Sequence, residues 1–218
     1  MSGAGVVTIS ASYGAGGDLV GPAVAARLGL VFHDRAIPAQ VAGRLGVPLA
    51  EAEANDENVA RGLWRIVASL GTMPDPMGGV VPVTEQLDER TFRLQTERVV
   101  REIADGQGGV VLGRAAALVV GDRPDALHVR LDGPEERRLD AVVARTGRPR
   151  DDVRRELRAN DAAREGYVRR SYRVDATSPR IYHLVIDSCA FDLDACVDFI
   201  VTASQLRMQQ ARSLPAPS

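Results

Sequence analysis

The chain has 218 residues, enough for one domain with a sizeable core, and 45% of them are hydrophobic, so neither disorder nor a membrane protein is indicated. Aromatic residues make up only 4% and the formal net charge is -2, which argues against nucleic-acid binding through stacked rings or a basic surface. No apolar run approaches the eighteen or so residues of a membrane span, no charged leader precedes the first apolar run, and Cys189 and Cys196 read as two reduced cysteines, so a cytoplasmic location is expected.

In chain order, residues 6–9 read as a strand buried on both faces, followed by a glycine-rich turn and a helix over residues 19–28. The apolar stripe of that helix is Leu19, Val20, Ala23, Val24 and Leu28, with Pro22 near its first turn and Gly29 at its end. Residues 30–32 predict a second short strand running into His33-Asp34-Arg35, a polar cluster at the carboxyl end of a strand, where open α/β sheets bind ligands. Residues 35–70 carry a helical pattern broken around Gly46-Val47-Pro48, and residues 71–79 form a long turn-rich loop. Thr84 is placed to cap a helix through Leu87, Leu94, Val99 and Ile103 to Asp105-Gly106.

Residues 109–112 predict another buried strand, ending in Gly113-Arg114-Ala115-Ala116, and residues 126–131 the next. Pro134-Glu135-Glu136 opens a helix that Thr146-Gly147-Arg148-Pro149 breaks, and Asp151 or Asp152 starts another that runs to about Arg164. Residues 181–186 read as the last strand, and Leu193, Cys196, Val197 and Ile200 mark the last helix, with a tail from about residue 208 expected to fray. Strands alternating with helices predict an α/β fold, a doubly wound parallel sheet with helices on both faces. One domain over residues 1–218 suffices, with a helical insertion at about 35–105, a helical lid at about 134–175 and a flexible tail at about 208–218.

The turn Ser12-Tyr13-Gly14-Ala15-Gly16-Gly17-Asp18, set between strand and helix, is how a phosphate cradle is built: glycines let backbone N–H groups converge, and the helix N-terminus adds partial positive charge. Against the P-loop template G-x-x-x-x-G-K-[ST], with Gly16 as the second glycine, Ala11 falls on the first glycine, Gly17 on the lysine and Asp18 on the metal-binding hydroxyl. No lysine can arrive from elsewhere, because all 27 Lys+Arg residues are arginine. Charge on a bound polyphosphate must therefore be met by arginine, backbone N–H or metal, and Schiff-base chemistry is excluded.

Between Arg137 and Arg173 twelve arginines face six acids, so this segment carries about +6 and the remainder about -8. One reading is a solvated helical pair laced with ion pairs. The sharper one is an arginine lid that folds over polyphosphate, where guanidinium groups bind oxygens bidentately.

The runs Ile9 through Gly17 and Leu28-Gly29-Leu30-Val31-Phe32-His33-Asp34-Arg35, then Gly113-Arg114-Ala115-Ala116 and Asn160-Asp161-Ala162-Ala163-Arg164-Glu165-Gly166-Tyr167, together resemble the bacterial cytidylate kinase-like family. These blocks come in the family's order and span residues 6 to about 203. The resemblance implies a P-loop kinase type of sheet with an arginine-rich lid. It implies that Ser12, Tyr13, Gly14, Ala15, Gly16, Gly17 and Asp18 hold the donor phosphates, chiefly through the 14–17 backbone, and that Asp34, Arg35 and Arg114 hold the acceptor. Arg137 or Arg138 matches the first lid arginine, and Arg137, Asp161 and Arg164 take the catalytic positions. The implied donor is ATP or another nucleoside triphosphate, with Mg²⁺ a candidate companion. The implied partners are small-molecule nucleotides, not membranes or nucleic acid, and a homo-oligomer is allowed.

Where family members commonly carry Arg-Glu before the tyrosine, this chain has Ala11 and Ser12, and the acids flanking Gly-Arg in true cytidylate kinases are Leu112 and Ala115. Single electrostatic contacts contribute about 2.7–4 kcal/mol to transition states, so losing the lysine and these acids costs several. Two expectations follow. One is transfer of phosphate to a nucleoside monophosphate or similar small acceptor, and the other is a catalytically silent nucleotide-binding module of the same fold.

Overall fold

A computed structural model describes residues 5–34 and 89–213. Five strands form one parallel sheet: β1 (Val6–Ala11), β2 (Phe32–His33), β3 (Gly109–Leu112), β4 (Ala126–Asp132) and β5 (Leu184–Asp187), in the order β2-β3-β1-β4-β5. Central β1 pairs Val7 with Val110 on one side and with Leu127 on the other. Its burial on both faces follows from two separate helical layers. One layer is α1 (Gly17–Leu28) with α6 (Leu193–Ser213), which cover Val7, Ile9, Leu127 and Leu131 with Val20, Val24, Val197 and Ile200. The other is α2 (Glu89–Asp105) with α3 (Ala116–Val120), which cover Val6, Val111 and Ala126 with Val99, Val100 and Ala104. This is the doubly wound parallel α/β sheet the alternation predicts.

Helices α4 (Glu135–Thr146) and α5 (Arg150–Tyr172) make a smaller core of their own from Leu139, Val142, Val153 and Leu157, with Tyr13 of the glycine-rich turn packed against it. Among the described residues no helix is long and apolar enough to cross a membrane. Cys196 is buried and both cysteines are free thiols.

Several boundaries differ from the pattern reading. Helix α1 starts at Gly17, two residues early, so Pro22 lies in the second turn, and Leu19 is solvent-exposed while Gly21 is buried. The missing Cβ at Gly21 lets Phe32 lie against the helix, since a methyl there would sit 2.6 Å from the ring. Val31 is exposed and outside β2. Helix α5 runs past Gly166 to Tyr172, because its end is docked: the Tyr172 hydroxyl donates to Glu97 on α2 at 3.0 Å. Residues 179–181 form a 3-10 turn ahead of β5, and the last helix stays helical through Ser213, five residues beyond the start of the expected tail. The helical pattern at 35–70, the loop at 71–79, the Thr84 cap, and Arg35 with most of the 35–105 insertion lie outside the described residues.

Candidate phosphate-binding site

The turn after β1 is shaped by two glycines in the left-handed region, Gly14 at φ 81° and Gly16 at φ 77°. Gly16 caps α1, as a residue without Cβ does at no steric cost. Three of the seven turn amides are used inside the protein. Ser12 N–H donates to Leu131 O, Tyr13 N–H to Asp161 Oδ1 at 2.8 Å, and Ala15 N–H to Ser12 O. Among the described residues no partner is found for the amides of Gly14, Gly16, Gly17 and Asp18, which end the turn and begin α1. Four amides at a helix N-terminus are an anion site in waiting. Ala15 is buried away from the cavity, its carbonyl taking a hydrogen bond from the Ser188 hydroxyl at 2.9 Å. The amides without a partner among the described residues are thus those of Gly14, Gly16, Gly17 and Asp18, and not that of Ala15.

Three guanidinium groups hold consecutive positions at the entrance of this turn. Arg164 on α5 donates to Ala11 O at 2.7 Å, Arg130 on β4 to Ser12 Oγ at 3.0 Å, and Arg138 on α4 to Tyr13 O at 2.7 Å. Arg138 also donates to Gly133 O and to Asp161 Oδ2 at 2.7 Å, with only 7% of its surface exposed. Asp161 therefore bridges the turn amide and the Arg138 guanidinium, a positioning role. Arg137, its neighbour, points outward, 4.0 Å from Asp187, and does not line the cavity. Of the two candidates for the first lid arginine, Arg138 is the one that reaches the turn.

The turn opens into a cavity of about 320 Å³ whose other wall is the end of β3. Gly113, Arg114 and Ala115 all have positive φ, at 74°, 61° and 49°. For the two non-glycine residues this costs roughly 1–2 kcal/mol each, a strain of the sort found where a strand end builds a site. The turn buries Arg114 against the cavity, 6% exposed, with Nη2 donating to the Asp34 carbonyl at 3.3 Å. Burial pulls the guanidinium down to about 10, partly offset by Asp34, so it remains charged at neutral pH. A desolvated cation of this sort is stabilised strongly by an anionic ligand. Asp34 lines the same cavity, so the structure brings Asp34, Arg114 and Arg164 together below the cradle.

Sequence reasoning missed Arg130 and Asp132. Arg130 is buried on a central strand, and its pull toward neutrality by burial is outweighed by Asp132, 2.8 Å away. An arginine set between Val129 and Leu131 inside a predicted buried strand was the available signal.

The remaining arginines of the +6 segment are mostly paired. Arg150 binds Glu136 and Asp140, Arg154 binds Glu136, Arg158 binds Glu135, and Arg148 binds Glu156. Within 137–173, Arg145 and Arg164 line the cavity. Among the described residues no cluster of three or more His, Cys, Asp or Glu side chains could hold a metal ion. A polyphosphate fits the donor set of the turn.

An uncharacterized protein of Eubacterium ventriosum superposes over 92% of this chain and 98% of its own, at 14% identity and a TM-score of 0.63, which shows a shared fold. A shikimate kinase of Acinetobacter baumannii, 17% identical, covers 98% of this chain and 97% of its own at a TM-score of 0.47, a likeness too loose to carry an argument. A uronate isomerase of Corynebacterium glutamicum is 28% identical over 139 residues, which are 63% of this chain, and the match spans about a quarter of that protein, 26%. The family model that matches is that of the cytidylate kinase-like family, over residues 6–190, and the chain belongs to that family.

Proposed function

We propose that this protein binds a nucleoside triphosphate such as ATP in the cradle of residues 14–18 and transfers its terminal phosphate to a nucleoside monophosphate or similar small acceptor held at Arg114. The observation that carries this reading is the pairing of two anion sites in one cavity: four amides without partners among the described residues, and a buried, charged guanidinium. The triphosphate, when bound, supplies the phosphoryl group. Arg114, with Asp34 beside it, orients the acceptor, and Arg164, fixed to Ala11 O, lines the same cavity. Phosphoryl transfer depends mainly on positioning and charge neutralisation, which is what these groups offer. The α4–α5 pair is the lid of this reading, and a cytoplasmic location goes with it.

Purified protein is assayed with ATP and a panel of nucleoside monophosphates, following phosphorylated product directly. Product that disappears in Arg114→Ala supports transfer. Nucleotide binding with no turnover on any acceptor refutes it and leaves the silent binding module, which Gly17, Leu112 and Ala115 favour by omitting the lysine and the acids of active relatives.

A further inference from the structure

The proposed cradle lacks a cation of its own, and its geometry forbids one at the template position. A Cβ on Gly17 would lie 2.6 Å from Ala11 Cβ and 3.1 Å from Leu112 Cδ1, so no side chain can leave the loop there. Among the described residues four guanidinium groups line the cavity: Arg114, Arg130, Arg145 and Arg164. Arg114 is buried on the β3 side, and Arg130 and Arg164 hold Ser12 and Ala11 of the turn itself.

Arg145 differs. It lies in the last turn of α4, its side chain is 44% exposed, and Nη1 donates to Asp18 Oδ2 at 3.0 Å. Asp18 stands where the template has its hydroxyl and is itself 60% exposed. An exposed pair of this kind contributes little net stability, so a polyphosphate with several charged oxygens can replace the single carboxylate. Helix α4 is already pressed against the turn, since a Cβ on Gly14 would meet Arg138 O at 2.8 Å and Val142 Cγ2 at 2.9 Å. Arg145 follows Val142 by three residues along that helix, beside the mouth of the cradle.

Resting on the triphosphate reading above, we infer that Arg145 is the phosphate-binding cation of this cradle, delivered from α4 in place of the loop lysine, with Asp18 as its partner when no nucleotide is bound. Its ligand is the terminal phosphates of a nucleoside triphosphate. The test is calorimetry of the full chain with ATP and with AMP. Arg145→Gln weakens ATP about ten- to a hundredfold, the range of one charge-assisted hydrogen bond, and leaves AMP within about twofold. Arg145→Lys restores most of the ATP affinity. Asp18→Asn tightens ATP, and that gain shrinks when Arg145→Gln is also present.

Wild type that binds ATP while Arg145→Gln binds it equally well overturns the assignment and leaves the nucleotide reading intact. Equal loss of ATP and AMP in Arg145→Gln, or an Asp18→Asn gain that survives without Arg145, also overturns it. Wild type that binds no triphosphate overturns both. An unchanged thermal midpoint shows that Arg145→Gln is folded, and if the midpoint falls, Arg145→Lys against Asp18→Asn decides the matter by the same signs.

Discussion

Replacing Arg138 with methionine keeps most of the side chain's volume and removes three hydrogen bonds, to Tyr13 O, Gly133 O and Asp161 Oδ2. The guanidinium is 8% exposed and the Asp161 carboxylate 18%, so solvent cannot take over either role fully. What remains is a half-buried carboxylate held by the Tyr13 amide alone, plus two carbonyls that have lost a donor. Breaking a buried pair from one side costs about 3–5 kcal/mol. For a chain of this size that is a fall of roughly 6–20 °C in thermal midpoint. Thermal and urea unfolding of Arg138→Met measure it, with Arg150→Gln as comparison. Arg150 makes just as many ion pairs, with Glu136 and Asp140, but on the surface, and its loss leaves the midpoint nearly unchanged. Asp161→Asn completes a double-mutant cycle whose coupling exceeds about 1 kcal/mol. A midpoint within about 2 °C of wild type in Arg138→Met, or additive single variants, refutes the claim that this pair anchors the turn.

Two further outcomes follow from the turn and the sheet. Gly14→Ala combines a strained φ of 81° with contacts of 2.8 and 2.9 Å against α4, whereas Gly29→Ala meets nothing within 4 Å at φ 66°. Both therefore lose about 1–2 kcal/mol of stability from backbone strain, but only Gly14→Ala weakens ATP in calorimetry, and equal binding by the two variants contradicts the cradle. His128 is held neutral below its ordinary value of 6.5 by burial, its Nδ1 accepting from Thr8 and its Nε2 donating to Gly121 O. The unfolded state then binds more protons than the native state, so this contribution is complete above pH 6.5 and is lost as pH falls through the depressed folded value. Chemical denaturation between pH 7.5 and roughly 5 shows stability falling, and His128→Gln flattens the slope.

The sheet was legible because β1, β3 and β4 are unbroken β-branched or apolar runs, and the turn because its glycines stand between a strand and a helix. Asp34 and Arg114 were expected at strand ends where such sheets bind ligands, and both line the cavity. What could not be read were partnerships across long separations. Nothing local distinguishes Arg138, which reaches the turn, from Arg137, which faces solvent beside Asp187. The choice is made by helix phase, which turns position 138 toward Leu139's core and Asp161. The resemblance places Ala15 among the phosphate-holding residues, and no local signal shows that its amide is used in the inner turn bond to Ser12 O. The end of α5 was misjudged because Tyr172 and Glu97 outweigh the low helix propensity of Gly166. The arginine-rich segment carried two readings, and most of its charge is spent on neighbouring carboxylates.

The anchoring of the turn has a consequence for how the chain is made. Among the described residues the side chains that fix residues 11–13 come from 118 to 153 positions later, on Arg130, Arg138, Glu156, Asp161 and Arg164. A ribosome adding roughly 5–20 residues per second delivers them on the order of ten seconds after the glycine turn has left the tunnel. Until those residues emerge the glycine-rich turn lacks its clamps, and closing such distant contacts is entropically slow. The glycine-rich turn is thus made long before the residues that hold it, and a nascent chain halted before residue 164 lacks the contact from Arg164 to Ala11 O.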